Sequence, residues 1–114
     1  MFRTIILISL LTATPVFAQV PENPTQDVIA MCASLGEFAE IMFNVRNRGL
    51  PLSTALNTVY ESNPDSDPSI VQMLVSVVRS VYSEPQYQTE EIQIQQIQQF
   101  RNRLETECFN ENLK

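Results

Sequence analysis

Residues 68–83 read PSIVQMLVSVVRSVYS, and this stretch decides between a helical fold and one that contains a sheet. Its valines and isoleucine favour a strand by residue propensity. Its polar side chains contradict a strand, because they follow one another at steps of four, three, one and three residues. They are Gln72, Ser76, Arg79, Ser80 and Ser83. That spacing draws one polar stripe along a helix, whereas a strand would alternate. The segment is predicted to be the central helix of the fold.

Prolines divide the rest of the chain into further helical segments, because each proline disfavours a helix that runs through it. The first helix is predicted from residue 25 or 26 to 48, with Gly49 as its C-terminal stop. A short second helix is predicted over 53–61 with Ser53 as its N-cap. The third begins with Asp67 as N-cap and Pro68 at its first helical position.

The last helix is predicted from residue 89 to about residue 109. Its glutamine richness could indicate low-complexity disorder, but a regular apolar stripe favours an ordered helix. The stripe consists of Ile94, Ile97, Phe100, Leu104 and Cys108. The glutamines, Gln93 and Gln96 among them, are expected to lie away from it.

Cys32 and Cys108 are the two cysteines of the chain, and in an exported protein such a pair predicts one disulfide. A redox pair is the alternative, but the Cys-x-x-Cys spacing is missing. Closing so long a loop is worth about 4.5 kcal/mol in the chain-entropy model. The bond would make the first and last helices antiparallel neighbours. The predicted fold is a small all-α, single-domain bundle of about four helices, irregular or up-down-up-down, clamped by one disulfide.

The N-terminus has the features of an export signal. Arg3 supplies a positive start, residues 5–11 are apolar, and Val16-Phe17-Ala18 fits a cleavage site. The predicted organisation is a signal peptide over 1–18, a disordered lead over 19–24 and a helical domain over 25–114. No later segment is expected to be apolar enough to span a membrane. The mature chain is therefore predicted to be soluble, without stable membrane insertion, and periplasmic or secreted after cleavage at about Ala18.

Composition argues against several classes of function. The chain has no histidine and a net charge of −6, which disfavours histidine-based catalysis, Cys/His zinc sites and nucleic-acid partners. Glu37 and Glu40 are expected on the wet side of the first helix rather than across a cleft. Asp65 and Asp67 resemble a fragment of a calcium loop, but the glycine and distal glutamate of an EF-hand are missing. We predict a non-enzyme without cofactor or metal.

Three residues are candidates for contact with a partner protein. Arg46 and Arg48 lie beside Gly49, where they either compensate the helix dipole or form a patch for an acidic group. Tyr87 follows Pro85 in a loop and is the best candidate for an exposed aromatic anchor. The loops around 49–53 and 83–88 are accordingly the predicted contact regions.

A wider pattern combines four features of the helices. The first helix contains Cys32 and ends with Arg46-x-x-Gly49. The third helix ends with Val81-Tyr82-x-x-Pro85, and in the last helix Phe100 precedes Cys108. This pattern resembles small exported bacterial two-cysteine helical proteins of uncharacterised function. The general plan is similar to that of periplasmic immunity proteins, which block cell-wall-degrading effectors of rival bacteria. It is also similar to that of the acid-stress chaperones of the periplasm. The resemblance rests on structural motifs and implies no residue roles.

The preferred hypothesis is a soluble exported module that binds another protein, as an inhibitor or immunity-type protein. The alternative is an acid-conditional periplasmic chaperone, since protonation of the carboxylates would make this acidic chain positive and self-repelling. A carboxylate enzyme is a third class and would need two acids in one pocket. The identity of the partner and the oligomeric state are left open by the sequence.

Overall fold

The computed structural model describes residues 24–113, and these residues form four helices and no strand. The helices are α1 (Pro24–Asn47), α2 (Leu52–Ser62), α3 (Pro68–Ser83) and α4 (Glu90–Asn112). The predicted all-α bundle is confirmed. The predicted signal peptide, 1–18, and residues 19–23 of the predicted lead lie outside the described residues, while Pro24 already belongs to α1.

The stretch 68–83 is helical, as its polar spacing predicted. Asp67 is the N-cap of α3, and its carboxylate accepts hydrogen bonds from the backbone N–H and the hydroxyl of Ser69, both at 2.9 Å. Pro68 occupies the first turn, where its missing N–H costs nothing. The five polar residues of the stripe are all exposed, and the opposite side of the helix enters the core.

The end of α1 confirms Gly49 as the stop. Gly49 has a φ of 91°, a left-handed conformation that glycine adopts without strain. Its N–H donates to the carbonyl of Arg46 at 2.9 Å, and the N–H of Leu50 donates to the carbonyl of Val45 at 3.3 Å. These are the two bonds of a Schellman motif, which closes the helix.

The start of α2 differs from the prediction. The helix begins at Leu52, Pro51 is its N-cap, and Ser53 lies inside the first turn. The carbonyl of Pro51 accepts from the N–H of Ala55 at 3.1 Å, so the helical hydrogen bonds begin before Ser53 can act as a cap. The prediction of Ser53 as N-cap is wrong, because Pro51 already occupies the N-cap position of α2.

α1, rather than α3, is the central helix. It packs against each of the other three helices, whereas α4 packs closely against α1 alone within the described chain. The side of α1 that faces the bundle is lined by buried Cys32, Leu35, Ala39, Met42 and Phe43. α3 leaves its polar stripe at the surface, which is why it cannot be surrounded by the other helices.

α1 also has a length and composition that would permit a membrane crossing. Thr25–Asn47 contains an 18-residue window with a mean hydropathy of 1.5, and one third of that window is buried in the bundle. The expectation that no segment after residue 18 is apolar enough is therefore wrong. Part of this apolar surface packs in the protein core, where the side chains of Cys32, Ala39 and Phe43 are fully buried.

A disulfide joins α1 to α4. Cys32 and Cys108 are bonded, with their Cα atoms 5.7 Å apart, and this confirms the predicted antiparallel neighbours. One turn further along α1, a Cβ on Gly36 would lie 2.5 Å from Oε1 of Glu105 and 2.9 Å from Nε of Arg101. The absence of a side chain at Gly36 thus leaves room for the side chains of Arg101 and Glu105 against α1.

The bundle is the irregular variant of the two that were predicted. The C-terminal ends of α1 and α3 meet, since the guanidinium of Arg46 bonds to the carbonyl of Val81. Yet within the described chain no Cα atom of α3 lies within 8 Å of one of α4. Both helices pack against α1 but not closely against each other, and a gap remains between them.

Candidate functional site

The gap between α3 and α4 is an open groove of about 720 Å³. Its lining includes apolar side chains from three helices, which are Leu35, Met73, Val77, Phe100, Leu104 and Cys108. Leu35, Val77, Phe100 and Cys108 also belong to the buried core. The base of the groove is therefore formed by the core, and its half-buried apolar part is Met73 and Leu104.

The two walls of the groove differ in chemistry. The α3 wall is the polar stripe, with the hydroxyls of Ser76, Ser80 and Ser83 and the cation of Arg79. The α4 wall carries more charge, with Arg103, Glu107, Glu111 and the amide Asn112. An apolar base between hydrogen-bonding walls is typical of sites that hold a partly apolar ligand in a defined orientation.

A smaller cavity of about 290 Å³ lies at the end of the groove near the α3–α4 connection. Glu84, Phe100 and Arg103 line both cavities. A guanidinium nitrogen of Arg103 lies 2.5 Å from a carboxylate oxygen of Glu84, and the same guanidinium lies 5.2 Å from the centre of the Phe100 ring. These contacts link the α4 wall to the end of α3.

Arg46, a predicted partner contact, is buried inside the protein. Its guanidinium donates to the carbonyls of Val81 at 2.7 Å, Glu84 at 2.8 Å and Pro85 at 3.2 Å. It also lies 5.1 Å from the centre of the Phe43 ring. Burial lowers the pKa of Arg46, and the nearby Glu84 carboxylate opposes that change. The prediction of an accessible contact is corrected: Arg46 satisfies the carbonyls that follow the last turn of α3.

The other two predicted contacts are at the surface but in different places. Tyr87 is 40% exposed and lines the smaller cavity, so it lies at one end of the groove system. Arg48 is exposed near the end of α1 and lines neither cavity. Tyr87 therefore remains a candidate for the same site as the groove, whereas Arg48 would need a separate one.

Glutamines of α4 hold the α3–α4 connection in place, which the sequence did not predict. Gln96 is buried and donates to the carbonyl of Pro85 at 2.6 Å, and Gln93 donates to the carbonyl of Tyr87 at 2.7 Å. Ile94, expected in the apolar stripe, is instead 48% exposed. The carbonyls of the α3–α4 connection thus receive hydrogen-bond donors from the first turns of α4.

Some of the described carboxylates take part in structural bonds. Arg101 of α4 bonds to Glu40 of α1 at 3.0 Å and to Glu105 at 3.3 Å, so one guanidinium joins two acids across the helix pair. Glu37 is exposed on the outer side of α1. Among residues 24–113, no three acidic, histidine or cysteine side chains are grouped so that they could hold a metal ion.

The groove could have been suspected from two features of the sequence taken together. The apolar stripe of α4 is narrow, so α4 can cover only one neighbour, and α3 has a continuous polar stripe that no neighbour can cover. What the sequence does not give is the distance between the two helices. No family model, curated protein or solved structure matches this chain.

Proposed function

We propose that this chain is an exported, non-enzymatic protein-binding module that holds a segment of its partner in the α3–α4 groove. The observation that supports the proposal is the apolar base of the groove, where Met73 and Leu104 are half-buried beside buried core residues such as Val77 and Phe100. Apolar surface of this kind is stabilised when a ligand covers it. The serine hydroxyls and charges on the walls would orient what is bound.

The dimensions of the groove suit a short length of polypeptide. Its lining extends from Met73 to Glu84 along the α3 side and from Phe100 to Asn112 along α4. At a helical rise of about 1.5 Å per residue, these spans are roughly 16–18 Å long. That length matches about three turns of a helix, a common size for an amphipathic segment that binds in a groove.

The scaffold favours an inhibitor or immunity-type role. The disulfide between Cys32 and Cys108 and the ion pair between Glu40 and Arg101 join α4, one wall of the groove, to α1. A preorganised site loses less entropy on binding. The disulfide also indicates an oxidising compartment, in keeping with a periplasmic or secreted protein whose signal is removed after Ala18.

The proposal is tested by filling the groove with a side chain. Ser80 is exposed and lines the groove, so Ser80→Trp would place an indole in it without entering the core. Ser53→Trp adds the same side chain to an exposed position on α2, outside the groove, and is the matched control. We expect wild type and Ser53→Trp to capture the same stoichiometric partner from periplasmic extract, and Ser80→Trp to lose it. Equal capture by all three proteins would contradict the groove as the binding site.

The acid-conditional chaperone is the second candidate, and the ion pairs favour it. Glu40 joins α1 to α4, and Glu84 joins the end of α3 to α4, each through an arginine. Acid that protonates these carboxylates would weaken both links and widen the gap between α3 and α4. Circular dichroism and light scattering between pH 7 and pH 2, with an aggregating client, test this idea. A protein that stays native and fails to protect the client at pH 2 would eliminate it.

A further inference from the structure

We propose that the partner segment is an amphipathic helix with a basic flank, and that this flank faces Glu107 and Glu111 on the α4 wall. The inference rests on the proposed function, since it names what the groove holds. The apolar side of the helix would cover Met73 and Leu104, and its charged flank would decide its orientation.

Glu107 and Glu111 are the acidic side chains of the groove that are left for a partner. Glu84, the third, is already paired with Arg103. Within the described chain, neither Glu107 nor Glu111 lies within ion-pair distance of a cation, and both are exposed on the groove wall. The α4 wall therefore offers two unpaired negative charges beside an apolar surface.

The spacing of these two carboxylates matches a helical ligand. They lie four residues apart on α4, so they are one turn, or about 6 Å, apart along the helix. A ligand helix that lies alongside α4 presents its own residues i and i+4 at the same interval. Both glutamates also lie in the last two turns of α4, where the negative end of the helix dipole adds to the attraction for cations.

The opposite wall sets the other flank of the ligand. On α3 the groove is lined by the hydroxyls of Ser76, Ser80 and Ser83 and by the positive charge of Arg79. A cationic flank placed against this wall would be repelled by Arg79, whereas neutral polar or acidic side chains would be accepted. The asymmetry of the two walls thus gives the bound helix one preferred rotation about its axis.

This chain does not supply such a helix itself. The 23 residues before Pro24 contain one cation, Arg3, and so cannot present a basic pair. The arginines of the described residues are Arg46, Arg48, Arg79, Arg101 and Arg103, and no two are three or four residues apart. A second copy is also repelled by the net charge of −6. The charge pattern therefore favours a different, basic partner over the chain's own segments or a copy of itself.

The test uses two labelled 14-residue helical peptides with the same leucine face, one with lysines at i and i+4 on its flank and the other with glutamates there. Fluorescence anisotropy at low salt measures their binding to the full mature protein. We expect the lysine peptide to bind and the glutamate peptide to bind at least tenfold more weakly. Glu107→Gln/Glu111→Gln should weaken the lysine peptide about five- to tenfold, as two exposed charge pairs would.

The matched control is Glu37→Gln/Glu61→Gln, which removes two exposed carboxylates from α1 and α2, outside the groove. It should change the affinity by less than twofold, and Ser80→Trp should abolish binding. Equal binding of both peptides, no binding of the lysine peptide to wild type, or an equal loss in the two double variants would overturn the basic-helix inference. If Glu107→Gln/Glu111→Gln still captures the partner that Ser80→Trp loses, the groove function stands and only the charge preference fails. If Ser80→Trp captures it as well, the groove function itself fails.

Discussion

Arg46 connects the end of α1 to the end of α3. Its side chain crosses from the end of α1 to the three carbonyls of Val81, Glu84 and Pro85, and it is only 6% exposed. Charge-assisted hydrogen bonds of this kind are stronger than neutral ones. The sequence places Arg46 correctly near the end of a helix but cannot show which carbonyls approach it, because they come from a segment about 35 residues away.

We predict that Arg46→Met lowers the free energy of unfolding by about 3 kcal/mol, because the buried carbonyl of Val81 and the part-buried carbonyls of Glu84 and Pro85 lose their charged donor. Methionine keeps most of the apolar stem, so the loss reports mainly on the hydrogen bonds. Urea unfolding monitored by circular dichroism measures the change. Arg48→Met, at an exposed position two residues on, is the control and should stay within about 0.5 kcal/mol of wild type. Equal midpoints for the two variants would show that the Arg46 bonds are not stabilising.

At the level of single helices, the sequence predicts ends better than faces. Asp67 and Gly49 act locally, through bonds to residues within one turn, and both were identified from residue type and position. Gln96 and Ile94 were placed on the wrong faces of α4, because their burial depends on where the α3–α4 connection lies. The groove escaped prediction for the same reason, since it is a spacing between helices rather than a property of either one.

The start of α3 is predicted to make stability depend on pH. Bonds from the backbone N–H and hydroxyl of Ser69 lower the pKa of Asp67 in the folded protein. The carboxylate therefore stabilises α3 at pH values above its unfolded pKa of about 3.9. That contribution is lost as the pH falls through the lower, folded pKa. Asp67→Asn keeps a capping side chain that does not titrate, so its urea midpoint should fall less than that of wild type between pH 6 and pH 2.5.

Asp65→Asn is the matched control, because it removes a carboxylate from an exposed position in the same turn. Its unfolding midpoint should follow the wild-type pH dependence. If Asp67→Asn and wild type lose stability in parallel on acidification, the cap is not the source of the pH dependence at this helix end.

For the whole molecule, the disulfide and the small core both stabilise the folded state. The bond joins residues 76 positions apart, and its two cysteines were paired from the sequence because the export signal implies an oxidising compartment. The central position of α1 was not predicted. The broad apolar face of this helix indicates that it contacts more than one neighbour, but it does not show which helix of the bundle contacts all the others. The sequence therefore predicts the disulfide between the first and last helices, but it does not predict which helix packs against which.

We predict that Cys32→Ser/Cys108→Ser lowers the free energy of unfolding by up to about 4.5 kcal/mol, because the unfolded chain regains the entropy of the open loop. Urea unfolding of the oxidised wild type, the reduced wild type and the double variant measures it. The reduced wild type and the variant should unfold at similar urea concentrations, both well below the oxidised protein. A reduced protein as stable as the oxidised one would show that the bond contributes little.

The same bond has a consequence for the fate of the chain under proteolytic attack. Every connection between the four helices lies inside the covalent ring closed by Cys32 and Cys108. One peptide-bond cleavage in any of these connections opens the ring but leaves a single continuous molecule, so nothing is shed. Two cuts inside the ring are required to release a fragment of it. In a compartment rich in proteases, a single cleavage next to Tyr87 would leave the two fragments joined by the disulfide, with α4 still packed against α1.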